Sequence, residues 1–134
     1  MKPSPRIIIA DDVSIMRRLL KTALLKAGYS NIHEADDGVD LLNKLNNESY
    51  DLIICDWDMP RMSGLDALQE IRNTDRLKSI PFIMVTAVAE SEQVKQAIEA
   101  GISDYIVKPV KPDVFKKKVT DLLSKNPLST TAAG

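Results

Sequence analysis

Five short, mostly apolar runs alternate along the chain with longer stretches whose apolar residues recur at helical spacing. Each run has the length of a β-strand, and each following stretch has the three- to four-residue spacing of an amphipathic helix. The predicted strands span residues 7–10, 32–35, 52–55, 82–85 and 104–107. The predicted helices span residues 13–27, 39–45, 63–71, 91–100 and 112–123.

Capping signals mark several of the predicted helix ends. Gly28 and Gly101 stand where a helix commonly ends at a glycine. Ser63 is followed three residues later by Asp66, which resembles a capping box. Ser91 can cap the start of the fourth helix.

This alternation predicts an α/β fold. Right-handed crossovers place the helices on both faces of a parallel sheet, so the pattern indicates a doubly wound five-stranded parallel sheet with five helices. The 134 residues suffice for one domain. We expect this domain to occupy residues 6–124, with an N-terminal extension at 1–5 and a flexible C-terminal tail at 125–134. The short tail favours a stand-alone protein.

Composition narrows the class of protein. The formal net charge of −1 gives no electrostatic basis for binding nucleic acid. No apolar stretch approaches the roughly 20 residues of a membrane helix, and the N-terminus does not resemble a signal peptide. The single cysteine, Cys55, lies inside an apolar run, as expected of a buried thiol in a reducing compartment. These features predict a soluble, monomeric, cytoplasmic protein that binds neither nucleic acid nor membrane.

Polar residues follow four of the predicted strands. Asp11 and Asp12 follow the first strand, Asp56 the third, Thr86 the fourth and Lys108 the fifth. Ligands of doubly wound sheets bind in the crevice outside the carboxyl ends of the strands. We therefore expect these side chains to converge on one site.

Carboxylates gathered in such a site would repel one another unless positive charge lay among them. Lys108 supplies one charge, and a divalent cation with oxygen ligands would supply the rest. Mg²⁺ fits best, because it keeps several waters and needs only one or two protein carboxylates. A carboxylate nucleophile, a metal ion, a lysine and a hydroxyl are the groups needed for phosphoryl transfer to Asp56.

Three segments carry a family resemblance: DDVSIMRR at 11–18, EADDGVD at 34–40 and DWDMP at 56–60. With the threonine and the Lys-Pro pair at the ends of later strands, they make the chain similar to the receiver domains of two-component response regulators. The similarity runs from about residue 6 to residue 123 and is greatest to the single-domain chemotaxis regulators of the CheY type. It implies a flavodoxin-like fold with strand order 2-1-3-4-5.

The resemblance also implies residue roles. Asp56 would be the phosphoacceptor. Asp12, Asp56 and the backbone carbonyl of Asp58 would ligate Mg²⁺, and Asp11 would hold a metal-bound water. Lys108 and Thr86 would contact the phosphoryl group.

A switch between two conformations follows from the same resemblance. Thr86 and Tyr105 would change contacts together when Asp56 is phosphorylated. The resemblance further implies a cis Lys108–Pro109 peptide bond. The surface read by the downstream partner would comprise residues 91–100, 104–107 and 112–123.

The implied function is a phosphorylation-activated signalling switch in chemotaxis. A sensor histidine kinase or a phosphotransfer protein would donate the phosphoryl group in a Mg²⁺-dependent reaction, and the switch would then alter its binding to a downstream partner. The flagellar motor switch is one candidate for that partner. The protein would promote its own phosphorylation and dephosphorylation rather than turn over a separate substrate.

Three positions depart from the chemotaxis regulators. Asp58 stands where they usually carry asparagine, and Val88 stands where they carry an acid. Both positions influence the lifetime of the phosphoryl group in receivers. Val110 replaces a common phenylalanine, which leaves the identity of the motor partner open.

Other functions stay open at this point. A stand-alone phosphorelay or phosphate-sink receiver outside chemotaxis would have the same site. The Asp-x-Asp at Asp56 and Asp58 also resembles haloacid-dehalogenase-type phosphatases, but in those enzymes the motif follows the first strand and an extra cap is present. Among neighbouring residues, we expect Trp57 to be a partly exposed loop aromatic, 36–38 to be a turn, and Lys116, Lys117 and Lys118 to be the solvated side of the last helix.

Overall fold

The structure, a computed structural model, describes residues 4–87 and 92–124. Strands and helices alternate in the predicted order. The strands are β1 (Arg6–Ala10), β2 (Asn31–Ala35), β3 (Leu52–Asp56), β4 (Phe82–Thr86) and β5 (Asp104–Val107). The helices are α1 (Ser14–Lys26), α2 (Gly38–Asn47), α3 (Gly64–Arg72), α4 (Glu92–Ala100) and α5 (Pro112–Ser124).

The five strands form one parallel sheet with the order β2-β1-β3-β4-β5, as the family resemblance implies. The register aligns the carboxyl ends of the strands. Ala10 pairs with Cys55 across β1 and β3, and Thr86 pairs with Val107 across β4 and β5. The polar residues at these strand ends therefore meet along one edge of the sheet.

Two apolar clusters cover the two faces of the sheet. Alternate strand residues such as Ile9 and Ile54 pack with Leu24 and Phe115 of α1 and α5. The residues between them pack with α2, α3 and α4. Because both faces are buried, the inner strands have almost no polar position, which explains their continuous apolar runs.

The predicted boundaries differ from the observed ones by one or two residues, and the largest difference is at the end of α2, which reaches Asn47. β3 and β4 each include one residue more than predicted, so Asp56 and Thr86 end their strands rather than follow them. Gly28 and Gly101 have φ values of 99° and 101°, a left-handed conformation that suits glycine after a helix. Ser63 caps α3 by accepting a hydrogen bond from the Asp66 N–H at 3.1 Å. The proposed cap at Ser91 lies outside the described residues.

Trp57 is not the partly exposed loop residue that the sequence suggested. Its side chain is 8% exposed and belongs to the same core cluster as Leu68 and Met84. The chain turns back onto the sheet at once, because the Trp57 N–H donates to the Val85 carbonyl and the Trp57 carbonyl accepts from the Gly64 N–H. These two hydrogen bonds place the indole inside the core.

Among the residues that the structure describes, no helix is both long enough and apolar enough to cross a membrane.

Candidate functional site

The ends of β3 and β5 bring a carboxylate and an ammonium group together. Lys108 Nζ lies 2.6 Å from Asp56 Oδ1, and the Asp56 side chain is almost fully buried. The Asp58 N–H donates to Asp56 Oδ2 at 3.0 Å. Both oxygens of Asp56 are thus held, one by a charge and one by the backbone of the following loop.

Three carboxylates form the acidic part of the site. Ligand oxygens of Asp11, Asp12 and Asp56 all lie within 4.8 Å of one another. Asp11 is buried and Asp12 is exposed. Asp11 Oδ1 accepts a hydrogen bond from the Val13 N–H at 2.8 Å, whereas its buried Oδ2 has no hydrogen-bond partner among the described residues. A buried carboxylate oxygen with free acceptor capacity fits a divalent cation that prefers oxygen ligands.

Burial shifts the proton affinities of the site. It raises the pKa of Asp56, although the hydrogen bond and the charge of Lys108 oppose the shift. Burial also raises the pKa of Asp11. The hydrogen bond from the Val13 N–H opposes this shift, whereas the negative charge of Asp56 adds to it. Burial lowers the pKa of Lys108, but Asp56 outweighs that effect and the net shift is upward. One lysine does not balance three neighbouring carboxylates, so the site favours an additional cation.

We predict that Asp11→Asn stabilises the metal-free protein at neutral pH by about 1 kcal/mol, because it removes a buried and partly unpaired charge. A carboxyl with a raised folded pKa binds protons more tightly in the folded state. The contribution of Asp11 to wild-type stability should therefore become more favourable as pH falls through the raised pKa of Asp11 towards its ordinary value of 3.8. Urea unfolding with chelator present, at several pH values, measures both effects. The gain from Asp11→Asn should shrink as pH falls.

The control for this experiment is Asp75→Asn, which removes an almost fully exposed carboxylate. We expect it to change the free energy of unfolding by less than about 0.5 kcal/mol at each pH. If Asp11→Asn were less stable than wild type at neutral pH, the buried charge of Asp11 would not be destabilising.

Thr86 and Tyr105 lie on the two neighbouring strands at the far side of the site. Thr86 is buried, and its carbonyl accepts a hydrogen bond from the Lys108 N–H at 2.8 Å. Tyr105 is half-buried, and Lys118 Nζ lies 5.8 Å from its ring centroid. The Lys108–Pro109 peptide bond is cis, as expected. Thr86 and Lys108 are therefore linked through the backbone beside Asp56.

Two of the predicted site residues, Asp58 and Val88, are not placed in this cluster by any described side-chain contact. The Asp58 side chain is exposed, and the hydrogen bond from Asp58 to Asp56 comes from the backbone N–H. Val88 lies outside the described residues. Lys118 is not simply solvated, because its Nζ lies 2.8 Å from Asp104 Oδ1.

Sequence reasoning missed an ion pair beside the site. Asp37, predicted to lie in a turn, is buried, caps α2 by accepting from the Asp40 N–H at 2.8 Å, and pairs with Arg61. The spacing of Asp37 and Asp40 could have indicated the cap. No local signal could have indicated Arg61, which is 24 residues away in the chain.

Gly64 lies directly behind the site. A Cβ at this position would lie 2.3 Å from the Asp56 carbonyl oxygen and 3.1 Å from Trp57 Cα. Only a residue without a side chain lets α3 begin this close to the end of β3.

Comparisons with known proteins agree on one family. The family model described as the response regulator receiver domain matches residues 7–120. The chain is 41% identical to the chemotaxis protein CheY of Pseudomonas aeruginosa, over 90% of this chain and 97% of that protein. It is 40% identical to the chemotaxis protein CheY1 of Helicobacter pylori, over 90% of this chain and 98% of that protein.

Solved structures give the same result. The chemotaxis response regulator CheY4 of Vibrio cholerae superposes with a TM-score of 0.84 at 27% identity, covering 90% of this chain and 99% of that one. The receiver domain of a signal transduction histidine kinase from Syntrophus aciditrophicus superposes with a TM-score of 0.85 at 30% identity, covering 91% of this chain and 92% of that one. By its family match, its fold and its relatives, this chain belongs to the response regulator receiver domain family and is homologous to the CheY chemotaxis regulators.

Proposed function

We propose that this protein is a phosphorylation-activated signalling switch in which Asp56 accepts a phosphoryl group from a sensor histidine kinase or a phosphotransfer protein. The observation that carries the proposal is the buried Asp56 carboxylate, held by Lys108 at 2.6 Å and flanked by the carboxylates of Asp11 and Asp12. A carboxylate placed between an ammonium group and an acidic cluster suits nucleophilic attack on phosphorus.

Each residue has a part in the transfer. An Asp56 oxygen attacks the phosphorus of a phosphohistidine, the new O–P bond forms, the P–N bond breaks, and the imidazole leaves with the electron pair. The Asp58 N–H fixes the other oxygen of Asp56 during attack. Lys108, which now pairs with Asp56, exchanges this partner for an oxygen of the arriving phosphoryl group.

The acidic cluster suits Mg²⁺. Asp12, Asp56 and the backbone carbonyl of Asp58 would hold the ion, and Asp11 would hold one of its waters. When bound, Mg²⁺ neutralises negative charge on the phosphoryl oxygens. The carboxylates themselves would orient the ion beside Asp56.

The switch involves Thr86 and Tyr105. The Thr86 hydroxyl donates to a phosphoryl oxygen, and Tyr105 changes position with it, which biases two existing conformations. The partner reads the surface made by α4, β5 and α5. Relatives named as chemotaxis proteins support chemotaxis as the pathway. The free, buried Cys55 suits a reducing compartment and supports a cytoplasmic location.

The domain limits that we propose are residues 6–124 for the receiver, with 1–5 and 125–134 as extensions. The run of elements from Arg6 to Ser124 supports them. Asp58 and Val88 are the residues that we propose to set the lifetime of the phosphoryl group.

We predict that acetyl phosphate with Mg²⁺ adds one phosphoryl group to the protein, and that beryllofluoride with Mg²⁺ changes the fluorescence of Trp57, which directly follows Asp56. Intact-mass spectrometry and fluorescence titration measure these changes, with a chelator as the control. Repeated turnover of a phosphate ester without accumulation of phosphoprotein would contradict the switch and favour a phosphatase.

A further inference from the structure

An ion pair between the buried Asp37 and the exposed side chain of Arg61 joins the start of α2 to the β3–α3 loop, residues 57–63. Arg61 Nε donates to Asp37 Oδ2 at 2.8 Å, and Arg61 Nη2 bonds the same oxygen. Asp37 Oδ1 accepts a hydrogen bond from the Asp40 N–H. Asp37 is 4% exposed, so its buried charge depends on these donors.

The electrostatics agree with a tight pair. Burial raises the pKa of Asp37, but the hydrogen bond from Asp40 and the hydrogen bonds and charge of Arg61 outweigh it, and the net shift is downward. The same contacts raise the pKa of Arg61. The carboxylate therefore stays ionised and bound to Arg61 at neutral pH.

The backbone at Arg61 has an unusual conformation. Its φ is 67°, in the left-handed region that is unfavourable for a residue with a Cβ. The Met62 N–H donates to the Pro60 carbonyl at 2.7 Å, which closes a three-residue turn around Arg61. Glycine would adopt this turn without strain, yet it could not reach Asp37. The side chain of Arg61 thus compensates for the strained backbone.

A second contact lies beside the ion pair. A Cβ at Gly38 would lie 2.8 Å from Cβ, Cγ and the carbonyl oxygen of Met62, so the first turn of α2 packs directly on the loop. α2 is itself held in the core by Leu41 and Leu45, which are fully buried. The loop is therefore attached to a rigid element.

The loop also contains the backbone of Asp58, whose N–H holds Asp56 and whose carbonyl is a proposed metal ligand. We infer that Asp37 and Arg61 are positioning residues, which hold the β3–α3 loop so that the Asp58 backbone stays correctly placed beside Asp56 for metal binding. This inference rests on the proposed function of the Asp56 site. Groups that orient metal ligands commonly change metal affinity tenfold or more when they are removed.

The test compares Arg61→Gly, which keeps the turn and deletes the ion pair, with Asp37→Asn, which keeps the capping oxygen and deletes the charge. In metal-free protein, hydrogen exchange at the Asp58 amide should be about tenfold faster in both variants. Mg²⁺ binding, measured by calorimetry, should be about tenfold weaker. Arg61→Lys, which keeps a cation for Asp37, should recover most of the Mg²⁺ affinity.

The matched control is Arg76→Gly. Arg76 also joins the chain to α2, through a 2.7 Å hydrogen bond from Nη2 to the Leu45 carbonyl, but at the other end of the helix. This variant should leave Asp58 exchange and Mg²⁺ affinity unchanged. Exchange at the Ile54 amide, in the core, is the internal reference, because general destabilisation would accelerate it as well.

The inference is overturned if Arg61→Gly and Asp37→Asn match wild type within twofold in Asp58 exchange and Mg²⁺ affinity, or if wild type does not bind Mg²⁺. If wild type takes up a phosphoryl group while the variants show no effect, the positioning role is refuted and the proposed function is unaffected. Conversely, if the variants weaken Mg²⁺ binding and wild type takes up no phosphoryl group, the positioning role is supported and only the proposed function is refuted.

Discussion

Asp56→Asn is expected to take up no detectable phosphoryl group from acetyl phosphate and Mg²⁺, with a rate at least about 1,000-fold below wild type. The amide that replaces the carboxylate has no anionic oxygen to attack phosphorus, and it no longer pairs as a charge with Lys108. Intact-mass spectrometry over a time course measures the rate. Uptake at the wild-type rate would show that Asp56 is not the acceptor.

Asp58→Asn is the matched control, because it makes the same chemical change two residues later on an exposed side chain. This variant should still be phosphorylated, since the Asp58 N–H that holds Asp56 is retained. Loss of one exposed charge should weaken Mg²⁺ binding roughly two- to fivefold. The dephosphorylation rate should change as well. If neither quantity changed, Asp58 would have no part in setting the phosphoryl lifetime.

Gly64→Ala is expected to destabilise the protein by about 3 kcal/mol or more. The new Cβ would lie 2.3 Å from the Asp56 carbonyl oxygen and 2.9 Å from Met84 Sδ. The backbone oxygen is fixed in the sheet, so α3 or the end of β3 must move. Urea unfolding monitored by circular dichroism measures the loss, and Mg²⁺ affinity should fall with it because Asp56 is displaced.

Gly28→Ala separates this crowding from the general cost of replacing glycine. Gly28 has a φ of 99°, but a Cβ there would meet nothing within 4 Å. We expect a loss of about 1 kcal/mol, from backbone strain alone. Equal losses at the two positions would contradict the close approach of α3 to β3.

Much of the candidate site followed from local patterns. The runs at 7–10 and 52–55 predict buried parallel strands, and the polar residues after them are predicted to meet because parallel strands end at the same edge. The structure does bring Asp11, Asp12, Asp56 and Lys108 together. The roles of these residues came from the family resemblance, since position alone does not distinguish a nucleophile from a metal ligand.

The loops were predicted less well. Trp57 and Asp37 each follow or precede a regular element and look like exposed loop residues in the sequence, yet both are buried. Trp57 is buried where the loop returns to the sheet through the hydrogen bonds of Trp57 with Val85 and Gly64. Asp37 is buried beneath contacts that include Arg61, 24 residues away in the chain. Such contacts join distant segments and leave no periodic signal in either one.

By itself, therefore, the sequence determined the α/β class, the order of the elements and the edge at which the acidic residues lie, because burial imposes a period on each strand and helix. Only the tertiary structure decided the free oxygen of Asp11, the close approach of Gly64 and the pairing of Asp37 with Arg61. These features depend on distances between segments far apart in the chain, to which local periodicity is insensitive.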